Sequence, residues 1–188
     1  MTPNVPAALL ILAATASAPM GPPALTELAV TRQGSDYFAA CRLVDGLSLG
    51  MLEEIEAGIE TTLNYRLQLY RRRPGLPDQP LVRRVVECGV HHDALTRQYT
   101  LTRRLDGELV ETHVTSRPEE MRAFLTTLHG IPVARAAELT AGAEYYLRAR
   151  CDLGLVWRFY LIPWRLNTDW VRAAVPPEEE ADVRGQRP

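Results

Sequence analysis

The chain contains no lysine, so all 21 of its basic residues are arginine. It also lacks a GxSxG motif, a glycine loop for phosphate and any CxxC pair. Those absences remove the usual local signals for a serine hydrolase, a nucleotide-binding domain and a zinc site. We therefore predict no catalytic residue, no bound cofactor and no metal ligand, although an enzyme site assembled from distant residues stays open.

Net charge is confined to the C-terminal segment. The formal net charge is −2 at pH 7, and the acidic residues after Pro176 account for it. The remainder of the chain is neutral, whereas proteins that bind nucleic acid need a strongly basic face. We therefore predict no nucleic-acid partner.

The first 24 residues carry no charge, and Ala7 to Ala18 form an apolar run. This run has the length of a signal-peptide core and is too short to span a bilayer. No basic residue precedes it, so the positive region of a signal peptide is weak, as it would be if the start site were misassigned. The pattern predicts export, to the periplasm or beyond; a disordered leader rich in Ala and Pro is the alternative.

Apolar and polar residues alternate along much of the chain, which predicts half-buried strands such as 59–69 and 145–153. Cys41, Cys88 and Cys151 each fall on the apolar face of a strand, where a free cysteine is a small buried hydrophobe. A disulfide between two of them stays open, because strands distant in sequence can pair or stack.

Two segments have helical signals. Ser48 is a candidate cap for a short helix that ends near Ala57, and Ser116 begins a capping-box pattern for a second helix. The buried stripes are expected to contain Leu49, Leu52 and Ile55 in the first helix and Met121, Phe124, Leu125 and Leu128 in the second. Gly130 and Pro132 are expected to end the second helix, and VARAAEL to add one or two helical turns.

Hairpins dominate the order of these elements. The order predicts an α+β fold, in which two main helices pack on one side of a mostly antiparallel sheet. A sheet that curls into a sandwich-like arrangement stays open. We place a single domain at residues 25–172, between the leader (1–24) and an acidic disordered tail (173–188). Periodicity is mixed over 156–170, where five aromatic residues favour either a core-sealing segment or a binding surface. They are Trp157, Phe159, Tyr160, Trp164 and Trp170.

The stretch HHDALTRQYTL contains the strongest candidates for metal chemistry. Neighbouring side chains of a strand point to opposite faces, so His91 and His92 should not share a metal. A tight turn at Asp93-Ala94 would set His113 four residues, or ~13 Å, along the sheet from His91. His129 is expected at a helix C-terminus. We predict solvated histidines of strands and turns.

Seven arginines flank the predicted strand ends, and up-down-up hairpins should bring them to one end of the sheet. The functional interpretation is a rim that binds an acidic partner, phospholipid headgroups or another anion. The alternative is an ordinary charged sheet end that discourages edge pairing. The rim consists of Arg71, Arg72, Arg73, Arg83, Arg84, Arg103 and Arg104.

The succession HHDALTRQYTL, a hairpin, SRPEEMRAFLTTLHGIPV, YYLRARCDL and a late DW resembles the bacterial family named domain of unknown function 4390, over about residues 26–172. The resemblance implies an exported protein of about this length and supplies no activity, cofactor or site residue. This chain departs from the pattern by lacking Leu-Pro after the late strand and by turning to PPEEE soon after Trp170.

Three classes of function follow. The first is a non-catalytic exported domain that binds an envelope or membrane-associated protein, with anionic lipid headgroups as a further partner. The second is a carrier of an apolar or lipid ligand between sheet and helices, in a cavity lined by Tyr65, Tyr99 and Tyr145. The third is a hydrolase-type enzyme whose pocket converges on a histidine such as His91 or His113.

Overall fold

The computed structural model describes residues 21–158 and 162–176, without the side chains of 155–165. This part of the chain contains two α-helices, one 3-10 helix and ten strands. In chain order they are β1 (Ala24–Gln33), β2 (Asp36–Val44), α1 (Leu49–Glu56), β3 (Thr61–Arg71), β4 (Gln79–Asp93), β5 (Gln98–Leu105), β6 (Glu108–Thr115), α2 (Pro118–Thr126), β7 (Thr127–Arg135), the 3-10 helix (Ala136–Glu138), β8 (Tyr145–Arg158), β9 (Ile162–Asn167) and β10 (Val171–Ala174).

The strands form two antiparallel sheets. The smaller sheet has the order β1-β2-β7, and the larger has the order β10-β8-β3-β4-β5-β6, with β9 also paired to β8. Residues of both sheets and both helices meet in one buried hydrophobic cluster. The helices therefore lie on the core side of the larger sheet, and the predicted α+β class with a mostly antiparallel sheet is confirmed.

Alternation in β3 shows how the sequence positions this sheet. Leu63, Tyr65, Leu67 and Leu69 are buried, and the residues between them are half-buried or exposed. The Tyr65 hydroxyl donates a hydrogen bond of 2.5 Å to the Leu125 carbonyl of α2, which satisfies its polar group inside the core. The opposite side of the larger sheet, its outer face, carries the polar residues that alternate with this buried row in β3.

The three cysteines are free and buried, so the prediction of small buried hydrophobes is confirmed and the disulfide alternative is wrong. Burial raises the pKa of Cys41 to about 12 and also raises the pKa values of Cys88 and Cys151. A nucleophilic cysteine needs the reverse shift. These thiols are therefore packing groups.

Helix α1 begins as predicted, since the Ser48 hydroxyl accepts a hydrogen bond from the Met51 N–H at 3.2 Å. Its predicted buried stripe is wrong at the first position, because Leu49 is 72% exposed. Ile55 is buried as predicted, and Met51, four residues earlier and therefore on the same face, is buried with it.

Helix α2 has Pro118 in its first turn, but Ser116 is not its cap. Arg117 occupies the cap position without a side-chain cap, and its backbone N–H donates to the Thr115 hydroxyl at 3.1 Å. The Thr115 hydroxyl, one residue before the predicted cap Ser116, therefore stabilises the start of the helix.

The segment after α2 contradicts the sequence prediction. The helix ends at Thr126 and the chain continues directly as β7, so Gly130 and Pro132 lie inside a strand. Pairing with β2 satisfies the backbone of β7, and Ile131 and Val133 alternate into the core. Tertiary pairing therefore overrides the local helical tendency, and of VARAAEL only the 3-10 helix is helical.

The late segment of mixed periodicity contains the end of β8 and the whole of β9, and β10 begins directly after it. Strand β10 pairs with β8, and Val175 beyond it is buried. Phe159 and Tyr160 of the predicted aromatic cluster, and the side chains of Trp157 and Trp164, lie outside what the structure describes. The predicted leader up to residue 20 and the tail from 177 onward lie outside it too. Neither helix in the described ranges has the length and apolar character to cross a membrane.

Candidate functional site

The seven arginines of the predicted rim lie at different heights along the larger sheet, so the expectation that they meet at one end is wrong. Along β4, the partner of Arg71 is residue 79, the second cluster occupies 83 and 84, and the partner of Arg104 is residue 87. Eight residues of extended strand span ~26 Å. The hairpin of β3 and β4 extends well beyond the hairpin of β5 and β6.

The rim arginines also differ in surroundings. Arg83 and Arg104 are exposed on the outer face. Arg103 packs under α2 on the other face, where its guanidinium lies 4.4 Å from the ring centre of Phe124 and its Nη1 lies 2.7 Å from the Glu111 carboxylate. Its side chain is only 13% exposed, so it stabilises the fold rather than lining a surface.

Local partners already engage other members of the rim. Arg84 forms a 2.8 Å salt bridge with Asp106, and Arg72 a 3.2 Å salt bridge with Glu144. The Arg73 Nε donates to a carbonyl of its own hairpin loop at 3.1 Å. The geometry does not assemble these seven arginines into one surface, and a binding role for them stays a prediction.

A different set of arginines meets on the outer face of the larger sheet. Strands β3, β8 and β10 lie side by side there, so residues distant in sequence become neighbours. Arg66 pairs with Arg150, and Arg148 pairs with Arg172. We name this set, with its aromatic neighbours, the arginine face: Arg66, Tyr70, Tyr146, Arg148, Arg150, Trp170 and Arg172.

Arg148 is the centre of the arginine face. Its guanidinium lies 4.2 Å from the ring centre of Trp170 and 4.9 Å from that of Tyr70, and its Nε donates to Gln68 Oε1 at 3.1 Å. Cation–π contacts of this kind hold a guanidinium in place without neutralising its charge. The guanidinium of Arg148 therefore keeps its positive charge, and its N–H groups other than Nε–H are the donors that remain.

The neighbouring arginines repeat this pattern. The guanidinium of Arg150 lies 4.8 Å from the ring centre of Trp170, and that of Arg172 lies 5.3 Å from the ring centre of Tyr146. The rings of Tyr70 and Tyr146 stack nearly parallel at 5.4 Å and 8°. Ring contacts thus connect six of the seven residues of the face, all except Arg66.

Few carboxylates offset this charge. Within the described residues, Arg66 is the one arginine of the face with a carboxylate in salt-bridge range, Asp152 at 3.8 Å. The buried Nε of Arg150 has no hydrogen-bond partner in the same part of the chain. Asp78 lies at the margin, where the Tyr146 hydroxyl donates to it at 2.8 Å and holds the pKa of its carboxyl below the usual value.

A cleft of about 1280 Å³ adjoins the arginine face at the end of the two sheets. The chain between the 3-10 helix and β8 forms one wall, and the end of β10 forms another. Tyr146 and Arg172 belong to both the cleft and the arginine face. Tyr145 also lines the cleft, but Tyr65 and Tyr99 do not. The cleft is therefore not the predicted cavity lined by all three tyrosines, and the carrier role stays a prediction.

A comparison with family models identifies the family of this chain. The model described as Domain of unknown function (DUF4390) matches residues 22–173, which is most of the chain. The chain belongs to the DUF4390 family. This match confirms the resemblance read from the sequence. The comparisons with curated proteins and with solved structures found no match.

The DUF4390 domain does not join its strand histidines in one site. His91 pairs with Thr100, and His113 pairs with the next residue, Leu101, so the two histidines point to opposite faces of the sheet. The predicted register is wrong for two reasons. The turn after Asp93 has four residues, and a bulge in the β5–β6 pairing shifts His113 by one position.

Two other histidines differ from their predictions. His129 lies in β7 and is exposed, so it does not end a helix. His92 is buried rather than solvated; its Nδ1 lies 3.1 Å from the Glu56 carbonyl and its ring stacks on Tyr99 at 4.6 Å. The Tyr99 hydroxyl donates to the Glu56 carboxylate, so these three residues fasten α1 to the β4–β5 hairpin. The described residues contain no group of three or more candidate metal ligands.

Sequence reasoning missed the arginine face of this DUF4390 domain because it followed runs of adjacent arginines. The signal lay in alternation: Arg66 and Tyr70 occupy polar positions of one strand, and Tyr146, Arg148 and Arg150 those of another. Which strands lie next to each other was not readable, since β3 and β8 are about 80 residues apart in the chain.

Proposed function

We propose that this DUF4390 domain is an exported, non-catalytic binding module whose arginine face recognises an acidic segment of a partner protein. The observation that carries the proposal is Arg148, which is fixed by Tyr70 and Trp170 without a neutralising carboxylate. A guanidinium fork that is already positioned binds a carboxylate through two parallel hydrogen bonds and loses little side-chain entropy in doing so.

The composition of the face favours a protein over a membrane surface. Arginine, tyrosine and tryptophan are the residues that most often dominate binding energy at protein interfaces. Membrane-bound surfaces instead insert free apolar or aromatic side chains into the headgroup region. Here Trp170 is half-buried and lies against the guanidinium groups of Arg148 and Arg150, so its ring is not free to insert.

Export rests on the N-terminal sequence. The apolar run from Ala7 to Ala18 has signal-peptide length, and the resemblance stated above implies the same destination. Three thiols buried in the core are compatible with an oxidising compartment, because none is exposed to exchange. Cell fractionation and N-terminal sequencing of the mature protein test this part, and an intact N-terminus in the cytoplasmic fraction would contradict it.

The binding claim is tested by affinity capture from native cells with three baits. They are the unmodified protein, the Arg148→Gln/Arg150→Gln variant and the charge-matched Arg97→Gln/Arg122→Gln variant, whose two arginines are exposed away from the arginine face. We expect the first and third baits to retain a common protein with an acidic segment, and the second to lose it. Equal capture by all three baits would refute the assignment of the surface.

A parallel arm separates protein from lipid. Vesicles with and without 30–40% phosphatidylglycerol, a composition chosen to mimic an anionic membrane, are sedimented with each of the three proteins. The proposal expects no sedimentation that depends on Arg148 and Arg150. Sedimentation with anionic vesicles that is lost only in the Arg148→Gln/Arg150→Gln variant would assign the face to headgroups instead.

A further inference from the structure

We propose that β6 is a self-association edge, at which two copies of this chain pair antiparallel about a two-fold axis at Thr112. Strand β6 ends the larger sheet and pairs only with β5 in the described structure. Every residue from Glu108 to Val114 is exposed, and Leu109, Val110 and Val114 are each more than half exposed. An edge strand of eight residues with apolar side chains is a template for another strand.

Backbone hydrogen bonds alternate in direction from residue to residue along a strand. This alternation determines which N–H and C=O groups of β6 point away from β5, toward the free edge. The Asp106 N–H donates to the Val85 carbonyl at 2.8 Å, so even-numbered residues of β5 direct their backbone groups to β4. Alternate residues of an antiparallel strand bond to opposite neighbours. Odd-numbered residues of β5 therefore bond to β6, and their partners there include Glu111 and His113.

It follows that Thr112 and Val114 direct their N–H and C=O groups to the free edge. A second β6 strand centred on Thr112 would place this residue opposite itself as a hydrogen-bonded pair. The N–H and C=O groups of Thr112 then gain partners that the single chain does not supply among its described residues.

Charge complementarity favours this register, in addition to the contacts that Glu111 makes with Arg103 and His113 makes with Glu120 in each copy. A two-fold axis at Thr112 brings Glu111 of each copy opposite His113 of the other, in non-hydrogen-bonded pairs whose side chains lie about 4.5–5.5 Å apart at Cβ. An axis at Glu111 would oppose two carboxylates, and an axis at His113 two imidazoles. An imidazole N–H can donate to a carboxylate whether the ring is neutral or protonated.

The pairing would also affect how the arginine face is presented. Antiparallel pairing across a two-fold axis perpendicular to the sheet keeps both outer faces on the same side. Two arginine faces would then bind one partner assembly at the same time, and linked sites bind more tightly than single ones. This consequence rests on the proposed function, whereas the pairing of the β6 strands does not.

The test is sedimentation velocity of the full chain over a concentration series, with variants at residue 112. We expect a monomer–dimer equilibrium that Thr112→Pro shifts at least tenfold toward monomer, because proline removes the central outward N–H. Thr112→Val keeps that N–H and should keep the dimer. The pairing of β5 with β6 does not use this N–H, so circular dichroism and the melting temperature should show that both variants fold.

Cysteine cross-linking tests the register directly. On mild oxidation Thr112→Cys should form a disulfide-linked dimer, and a mixture of Glu111→Cys and His113→Cys proteins should cross-link while neither does so alone. The native cysteines are buried and should not compete. A chain that is monomeric at all concentrations, a dimer that Thr112→Pro leaves unchanged, or cross-links in another register would each overturn the proposal, whatever the outcome of the capture experiment.

Discussion

The Arg148 guanidinium lies 4.2 Å from the ring centre of Trp170, on a face of the sheet where few carboxylates lie nearby. Arg148 comes from β8, and Trp170 directly precedes β10, which pairs with β8. This relationship holds the Arg148 guanidinium in place on the outer face of the larger sheet, and the proposed binding role rests on it. It also allows the charge of Arg148 and the geometry of its guanidinium to be tested separately.

Replacing Arg148 with lysine separates those two properties. Arg148→Lys keeps the positive charge but loses the planar fork and its stacking between two rings. We expect about tenfold weaker binding of the captured partner, which corresponds to about 1.4 kcal/mol, measured by isothermal titration calorimetry. Arg97→Lys on the exposed β4–β5 turn should leave the affinity unchanged. A loss only with Arg148→Gln and not with Arg148→Lys would show that charge alone matters.

The rim arginines should prove dispensable for that binding. The triple variant Arg72→Gln/Arg84→Gln/Arg104→Gln removes three charges, but these side chains lie at different heights and two of them have carboxylate partners. We expect its affinity for the captured partner to lie within about twofold of the unmodified protein's at 0.15 M salt, where separated exposed charges are largely screened. If the triple variant bound as weakly as Arg148→Gln/Arg150→Gln, the rim predicted from the sequence would be the better site.

Stability should depend on the hydrogen bond between the larger sheet and α2. Tyr65→Phe removes the hydroxyl that donates to the Leu125 carbonyl and leaves that acceptor without its donor. We expect a loss of about 1–2 kcal/mol in the free energy of unfolding, measured by urea denaturation. Tyr70→Phe removes a half-exposed hydroxyl that donates to Gln68 and should cost less than about 0.5 kcal/mol.

Thiol reactivity should report the packing of the core. The pKa of Cys41 is raised to about 12 by burial, and those of Cys88 and Cys151 are raised too. All three thiols should therefore stay protonated and unlabelled by Ellman's reagent at pH 8, and react together when the protein unfolds. Leu95→Cys, in a fully exposed turn, supplies the fast-reacting control. Rapid labelling of any native cysteine without denaturant would contradict the packed core.

Strands with regular alternation were predictable because the pattern that buries one face is local. The sequence alone placed Leu63, Leu67 and Cys88 on the core side, where the structure has them. The hairpin at Asp106-Gly107 was readable for a similar reason, since both residues adopt the positive φ that such a turn demands.

Register and helix termini depend on contacts that the local sequence does not show. Four turn residues follow Asp93 instead of a tight reversal, and this changed every partner along β4 and β5. The chain after Thr126 leaves its helical pattern because β2 supplies a pairing edge. The arginine face itself needs β3, β8 and β10 side by side, which is decided only when the whole sheet forms.

The most direct test of the binding claim is photo-cross-linking from a chosen position on the protein. Benzoylphenylalanine at position 174, an exposed residue opposite Tyr146 at the margin of the arginine face, is irradiated in native cells; position 95 is the control. We expect a protein adduct from position 174 that is absent from position 95 and disappears when Arg148 and Arg150 are both glutamine. An equal adduct from position 95, or one from 174 that persists without those arginines, would contradict it.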